Sequence, residues 1–185
     1  MPEKTEERPE RLFIGIPLTD DARLTLAKAL PRSLPGKLVP VENWHFTLRF
    51  LGATRADART KVVERLRDAA YPKRFEIVFN ALGAFPNPHR ARILWLGAEG
   101  GADKMGLLAT IAEDAAKVAG FPPESRAFTA HLTLSRLDPP VSVATLIGSK
   151  PRFDIRMTVE RVVLFRSRLG GGPARYEEVE SFALR

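Results

Sequence analysis

The chain has 185 residues, and its 29 Lys and Arg against 22 Asp and Glu give a formal net charge of +7. A hydrophobic fraction of 44 % is typical of a globular chain that buries a substantial core. The absence of Cys excludes disulfide frameworks, thiolate metal sites and Cys nucleophiles. We find neither an apolar run of the roughly 18 residues that a membrane span needs nor an apolar secretory signal, and therefore expect a cytoplasmic protein with no membrane partner.

The distribution of charge favours a polyanionic partner. Residues 1–10 carry four Glu, one Lys and one Arg, so the rest of the chain has a net charge of +9. Such an excess suits RNA or a nucleotide, because neutralised phosphates release condensed counterions. An Arg-rich genome explains the excess equally well, since 21 of the 29 basic residues are Arg. We expect residues 1–10 to form a flexible charged tail and residues 11–185 to form one domain.

Hydrophobic periodicity predicts three strands and two helices in the first half of the chain. The strands are expected at residues 11–18, 44–51 and 75–82, followed by a turn-rich loop at 83–90. The second strand should end at Gly52. The first helix begins at a Thr19 cap and ends before Pro31, and its apolar face consists of Leu24, Ala27 and Leu30. The second helix is expected at residues 57–70.

Hydrophobic patterning in the second half of the chain predicts the same order of strands and helices. A strand at residues 92–97, a helix at 103–119 and a strand at 130–136 come first. Two or three further strands fit residues 153–166 and 175–184, joined by a turn at 170–173. The glycines of that turn do not form a phosphate-binding P-loop, because neither Gly-Lys-Ser/Thr nor a following helix is present.

The two halves form a weak internal repeat. Each runs from an apolar strand through a helix to a strand that carries His-x-Thr-Leu. The two His of these motifs, His45 and His131, lie 86 residues apart, which is close to half the chain. We expect the repeats to pack about a pseudo-two-fold axis and to bring equivalent positions together across a cleft.

The first motif should present polar side chains on one face of its strand. Because side chains alternate along a strand, His45, Thr47 and Arg49 share a face. The opposite face is wholly apolar and should lie on the core; it consists of Trp44, Phe46, Leu48 and Phe50. Arg49 could line the cleft, and an outer salt bridge is about equally expected.

The second motif repeats this pattern. His131, Thr133 and Ser135 should share one face, with Leu132 and Leu134 buried behind them. A single strand His is more often structural than catalytic. Two His-x-Thr motifs among only three His have a chance of about one in a hundred from composition alone, so the pair is a specific signal. His89 has no such partner and should be an exposed loop residue.

Paired imidazoles and hydroxyls suit the cleavage of a phosphodiester. One group must take a proton from water and another must give a proton to the leaving oxygen, on opposite sides of phosphorus. Histidine has an ordinary pKa of about 6.5, so one ring can be neutral while the other is charged. Each Thr hydroxyl can donate to a non-bridging oxygen. The two rings should then lie roughly 5–8 Å apart.

These motifs resemble those of the two-histidine (2H) phosphoesterases, and most closely the RNA 2′,3′-cyclic phosphodiesterases, also called 2′–5′ RNA ligases. The resemblance covers residues 11–184 through segments including ENWHFTLRFLG, LGAFPNPHRARILWLG, AGFPPESRAFTAHLTLSR and GGPARYEEV. It implies an α+β fold that is bilobal and pseudo-two-fold. In that fold two antiparallel sheets line a central cleft and the helices lie on the outside.

The resemblance also implies an activity and roles for individual residues. A terminal 2′,3′-cyclic phosphate of RNA would be hydrolysed to a 2′-phosphate, with reverse 2′–5′ ligation, no metal and no cofactor. His45 would protonate the leaving 3′ oxygen, His131 would activate water, and Thr47 and Thr133 would hold phosphate oxygens. Arg136 matches a family Arg that contacts the phosphate. Strict alternation puts Arg136 on the buried face, so it reaches the cleft only if the strand ends or bulges.

Other interpretations remain open. The same pair of His could act on a small cyclic nucleotide or on an ADP-ribose cyclic phosphate, or a non-catalytic module could use it only to grip the phosphate of RNA or a nucleotide. Trp95 and Phe85 could stack on a base, although core packing is favoured for Trp95. No metal-ligand spacing is present. We expect a monomer.

Overall fold

The computed structural model of the protein describes residues 8–31, 33–149, 153, 155–172 and 174–185. These residues form nine strands and four α-helices. The strands are β1 (Glu10–Pro17), β2 (Lys37–Leu38), β3 (His45–Thr54), β4 (Phe75–Phe85), β5 (Ala91–Glu99), β6 (His131–Val141), β7 (Ile155–Val159), β8 (Arg161–Arg168) and β9 (Arg175–Ala183). The helices are α1 (Asp20–Ala29), α2 (Ala56–Arg67), α3 (Ala102–Val118) and α4 (Ala144–Gly148). In this part of the chain no helix has the length and apolar character needed to cross a membrane.

The strands form one curled antiparallel sheet with two halves. One half has the order β9-β8-β1-β3 and the other the order β6-β5-β4-β7. The halves join through β3 and β6, where Phe46 pairs with Leu132. The short strand β2 pairs with β6 a few residues further along, at Ser135 and Arg136. The predicted α+β fold with two antiparallel sheets is confirmed, and the two sheets are continuous at this junction.

The two sequence repeats do not coincide with the two halves of the sheet. The first repeat ends in β4, but β4 pairs with β5 of the second repeat. Conversely, β8 belongs to the second repeat and pairs with β1 of the first. Each repeat therefore completes its half of the sheet with a strand from the other repeat.

Helix α1 begins where the sequence predicts, but its buried face differs from the prediction. The Thr19 side chain caps it by accepting a hydrogen bond from the Ala22 backbone N–H, at 3.3 Å. The buried side chains are Ala22, Leu26 and Leu30, whereas the predicted core residue Leu24 is 60 % exposed. The buried set follows strict i, i+4 spacing, which places one residue per turn on the same stripe.

Helix α3 packs closely against β3 and α2. Its buried face combines Met105 and Leu108 with a run of small residues, Ala109, Ala112, Ala115 and Ala116. Small side chains let the helix approach the sheet closely, and this brings its polar residue Glu113 within reach of a β3 side chain. This contact matters for the site described below.

Strands β3 and β4 continue beyond their predicted ends. Strand β3 continues through Gly52 to Thr54, because Gly52 has a φ of +73° and sits beside a register shift that bends the strand without ending it. Strand β4 continues to Phe85, within the predicted loop, because residues 83–85 pair with β5.

Glu10, expected in the tail, belongs to strand β1. Residues 1–7 lie outside the described part of the chain, and Arg8 and Pro9 are exposed. Glu10 begins β1 and forms ion pairs with Arg59 (2.8 Å) and with Arg166. These two pairs hold the start of β1 against α2 and β8.

Candidate active site

A bulge in β3 changes which side chains face the cleft. The register with β1 pairs Gly15 with Thr47 but Ile14 with Arg49. Leu48 is therefore an extra residue, and such a bulge interrupts strict alternation. His45 and Thr47 line the cleft. Arg49 is 9 % exposed on the other side, and Phe50, predicted in the core, is 43 % exposed and lines the cleft in its place.

Strand β6 has a bulge at the equivalent position. The register with β5 pairs Trp95 with Thr133 but Leu94 with Ser135. Leu134 is the extra residue here. Ser135 was predicted to share the His131 face, but it is fully buried and its hydroxyl has no hydrogen-bond partner among the described residues. Arg136 was expected to reach the cleft only if the strand ended or bulged. The bulge is present, and Arg136 lines the cleft beside Thr133.

The strand pair at the junction brings the two motifs together. Because Phe46 lies opposite Leu132, the flanking residues face each other, His45 with Thr133 and Thr47 with His131. The two His are then diagonal neighbours, which lie about 7–8 Å apart with their Cβ atoms somewhat closer. The rings are close enough for the charge of His131 to lower the pKa of His45.

Both imidazoles are oriented by the same hydrogen bond. The Nδ1–H of His45 donates to the carbonyl of Asn43 at 2.7 Å, and that of His131 donates to the carbonyl of Thr129 at 2.8 Å. Since a carbonyl only accepts, each neutral ring carries its proton on Nδ1 and its lone pair on Nε2. The His45 Nε2 lies 3.0 Å from the Thr47 hydroxyl. Each ring is therefore prepared to exchange a proton through Nε2.

Aromatic side chains enclose the His45 ring. The Phe13 ring centroid lies 4.7 Å away, and the Tyr176 ring stands edge-on at 5.1 Å. The Phe165 ring lies at 6.0 Å. Gly15 lies beside this ring, and it permits the close approach of β3, because a Cβ there would lie 2.7 Å from the Phe46 carbonyl oxygen.

This enclosure keeps His45 neutral. Burial lowers its pKa from 6.5 to about 4, because the charged ring loses solvation. The hydrogen bond to Asn43 acts in the opposite direction, and the nearby positive charges of His131 and Arg136 lower the pKa further. At neutral pH the His45 ring is therefore uncharged in the protein without ligand.

The cleft in front of the motifs has a volume of about 380 Å³. Residues 37–40 form one wall, and residues around the glycine-rich turn, including Leu169 and Gly172, form another. The buried Asn43 side chain donates to the Ala174 carbonyl at 2.6 Å. Asn43 thus links this turn to His45, because its backbone carbonyl accepts the hydrogen bond from the His45 Nδ1–H.

The family model for LigT-like phosphoesterases matches this chain twice, at residues 16–95 and at residues 96–174. Each match contains one of the two His-x-Thr motifs. The chain belongs to the LigT-like phosphoesterase family. The two matches divide within β5, and each contains the helix and the motif strand of one sequence repeat.

Several relatives in the family share the name RNA 2′,3′-cyclic phosphodiesterase. The protein of Methanothermobacter thermautotrophicus is 34 % identical over 153 residues, which are 80 % of this chain and 82 % of that protein. The protein of Aeropyrum pernix is 38 % identical over 104 residues. That match covers 56 % of this chain and 58 % of the relative, which is less than two thirds of its length. The Escherichia coli protein is 28 % identical over 95 % of this chain and 97 % of its own.

Solved structures of the family have the same fold. The complex of E. coli LigT with 3′-AMP has a TM-score of 0.77 and 26 % identity, covering 95 % of this chain and 98 % of that one. The complex of E. coli LigT with phosphate has a TM-score of 0.73 and 26 % identity, covering 96 % and 99 %. The curled sheet around a cleft is therefore the architecture of this family.

The second motif of the family also has aromatic neighbours here. The Phe85 ring stands edge-on to His131 at 5.1 Å, and the Trp95 ring lies 6.2 Å away. Trp95 lies flat over Gly83, where a Cβ would come within 2.2 Å of the indole. Both aromatic residues are partly exposed, so the stacking of a base on them stays a prediction.

Arg49 holds structure together on the far side of β3. Its Nε pairs with Glu113 of α3 at 2.5 Å, and its guanidinium also donates to the Pro122 carbonyl. A third contact, to Glu124, is 3.5 Å long. The sequence left two roles open for Arg49, a place in the cleft or an outer salt bridge. The structure shows the salt bridge, and Arg49 is not among the residues that line the cleft.

Four residues that line the cleft were not predicted from the sequence. They are Arg11, Lys37, Asn43 and Tyr176. Alternation along β1 places Arg11 on the same face as Phe13 and Gly15, but a strand that is apolar on both faces hides this signal. Asn43 acts through its backbone carbonyl, which any residue type provides. Within the described residues no group of three or more His, Cys, Asp or Glu is arranged to hold a metal ion.

Proposed function

We propose that the chain hydrolyses the terminal 2′,3′-cyclic phosphate of RNA to a 2′-phosphate. The observation that carries this proposal is the pair of His-x-Thr motifs at the junction of the two half-sheets, each with its imidazole Nδ1 fixed by a carbonyl two residues upstream. Family membership and relatives called RNA 2′,3′-cyclic phosphodiesterase support the same reaction.

In the proposed mechanism the two His act on opposite sides of phosphorus. The Nε2 of His131 takes a proton from water, whose oxygen forms a bond to phosphorus. The bond from phosphorus to the 3′ oxygen breaks, and Nε2–H of His45 protonates that oxygen. Thr47 and Thr133 donate to non-bridging oxygens, where charge develops in the transition state. When the 5′-hydroxyl of another RNA attacks in place of water, the same steps break the bond to the 3′ oxygen and form a 2′–5′ phosphodiester, which is 2′–5′ ligation.

The proton that His45 donates must be acquired on substrate binding. With a pKa lowered to about 4, the ring is neutral in the free protein at pH 7. An anionic phosphate placed beside Nε2 favours the imidazolium and raises the pKa. Arg136, which also lines the cleft, orients the phosphate and offsets part of its charge. Binding of the anion and protonation of His45 are therefore coupled.

We also propose that one chain is sufficient for activity and that the reaction needs neither a metal nor a cofactor. Both His and both Thr come from the same chain, and a charged imidazole with Arg136 supplies the electrostatic stabilisation that a metal provides elsewhere. A cytoplasmic location is part of this proposal, because the RNA substrate is found there.

The proposed reaction is tested by replacing each motif His. On an oligonucleotide ending in a 2′,3′-cyclic phosphate, with EDTA present, His45→Ala and His131→Ala should lower kcat by about 10²–10⁴-fold. His89→Ala is the matched control and should keep wild-type turnover, since His89 is exposed, lies in a 3-10 helix (Pro88–Arg90) and does not line the cleft. Phosphorus NMR of the product should show a 2′-phosphate. Binding without any turnover by the wild-type protein would favour the non-catalytic module instead.

A further inference from the structure

The cleft contains cations that have no acidic partner. Arg11, Lys37 and Arg136 line it, and none of its described lining residues is Asp or Glu. Among the described residues these three side chains form no ion pair, although Arg166 and Arg168 on the neighbouring strand β8 pair with Glu177. Unpaired cations facing one cleft provide sites for anionic groups of a ligand.

Arg11 lies away from the motifs. Its guanidinium carbon is 4.8 Å from the centroid of the Phe50 ring, and this contact holds the side chain over that ring. Phe50 lies three residues beyond Thr47, which is about 10 Å along a strand. Hydrogen bonds between a guanidinium and a phosphate are about 2.7–2.9 Å long. The Arg11 guanidinium therefore lies beside Phe50, further along the cleft than a phosphate held by Thr47 and Thr133.

The other two cations belong to the opposite end of the cleft. Lys37 pairs in register with Arg136 through strands β2 and β6. Arg136 lies next to the Thr133 motif, where it faces the phosphate that reacts. The cleft thus has one cationic end for the cyclic phosphate and a second, separate cation at Arg11.

We infer that Arg11 binds a second phosphate, the one attached to the 5′ oxygen of the nucleotide that carries the cyclic phosphate. This inference rests on the proposed function. In that nucleotide the 5′ oxygen lies across the ribose from the 2′ and 3′ oxygens, and in RNA it is always esterified to a phosphodiester. Arg11 then distinguishes an RNA end from a nucleoside cyclic phosphate with a free 5′-hydroxyl.

The experiment compares two substrates that differ only in the 5′ phosphate, adenosine 2′,3′-cyclic phosphate and its 5′-phosphorylated form. The wild-type protein should have a kcat/KM about tenfold higher for the phosphorylated substrate, since a hydrogen-bonded charge pair has that effect. Arg11→Gln should bring this ratio close to one. Arg156→Gln is the matched control: Arg156 is an exposed Arg on edge strand β7, and its replacement should leave the ratio unchanged.

Several results would overturn the inference. A wild-type ratio near one, or a high ratio that persists in Arg11→Gln, would show that Arg11 binds no 5′ phosphate. Loss of the ratio in Lys37→Gln but not in Arg11→Gln would place the 5′ phosphate at the opposite end of the cleft. If neither substrate nor a cyclic-phosphate oligonucleotide were hydrolysed, the proposed function itself would be contradicted.

Discussion

The packing of single side chains around His45 links the chemistry of the site to the stability of the fold. The neutral ring is stabilised among Phe13, Phe165 and Tyr176, so the folded protein binds a proton at His45 only near pH 4. The unfolded chain binds it near pH 6.5. This difference stabilises the fold fully above pH 6.5, and the stabilisation is lost as the pH falls from 6.5 to about 4.

Replacing His45 should therefore reduce the loss of stability in acid. We expect the drop in unfolding free energy between pH 7 and pH 4.5 to be about 2–3 kcal/mol smaller in His45→Gln than in the wild type. Urea denaturation at the two pH values measures it, with His89→Gln as the control. An equal drop in wild type and His45→Gln would show that burial does not hold the ring neutral.

At the same scale, alternation predicts which strand face a side chain occupies up to the Thr of each motif and fails directly after it. Alternation correctly places His45 and Thr47 on the same face, and both line the cleft together with Thr133 of the second motif. It fails for Arg49 and its neighbours because one extra residue in each strand, after the Thr of each motif, exchanges the faces. A bulge depends on the pairing partner across the sheet, and a single strand sequence does not contain that information.

Among the elements, the contact between α3 and β3 depends on the buried Arg49. Its partner Glu113 lies on α3, and the Pro122 carbonyl lies in the loop that leads from α3 to β6. The backbone N–H of Glu124 in the same loop donates to Glu113 at 3.1 Å. That loop ends at Thr129, whose carbonyl orients His131. One Arg of the first repeat thus fixes the approach to the second motif.

We expect Arg49→Met to lower the free energy of unfolding by about 3 kcal/mol, since removal of one partner leaves a carboxylate and a carbonyl without their donor. Arg65→Met is the matched control. Arg65 pairs with Asp114, also on α3, but both side chains are about 40 % exposed, so its loss should cost less than about 1 kcal/mol. Equal effects of the two variants, measured by urea denaturation, would contradict the structural role of Arg49.

The sequence predicts where a helix or strand lies more closely than it predicts which of its faces is buried. The Thr19 cap and the spacing of apolar residues correctly predict α1, because capping and helix periodicity are local properties. The buried face of α1 is set by what lies beneath it. Leu24 satisfies the periodicity but points away from the sheet, and periodicity alone does not choose between two overlapping stripes.

For the whole molecule, the repeat in the sequence predicts that the two motifs meet but not how the sheet is completed. The exchange of β4 and β8 between repeats is a long-range pairing with no local signal. Alternation and turns specify which segments are strands, whereas the neighbours of each strand depend on tertiary contacts. The resemblance to a known family supplied the bilobal architecture, and the residues alone supplied the paired motifs.

The central claim is that one phosphate is held between His45 and His131. NMR of the imidazole signals during a titration with sulfate at pH 6.5 tests it most directly, because sulfate keeps a constant charge there. We predict that both rings respond with one dissociation constant, that His45 moves toward the imidazolium position, and that His89 stays unchanged. A response of only one motif ring, or two different dissociation constants, would contradict the shared site.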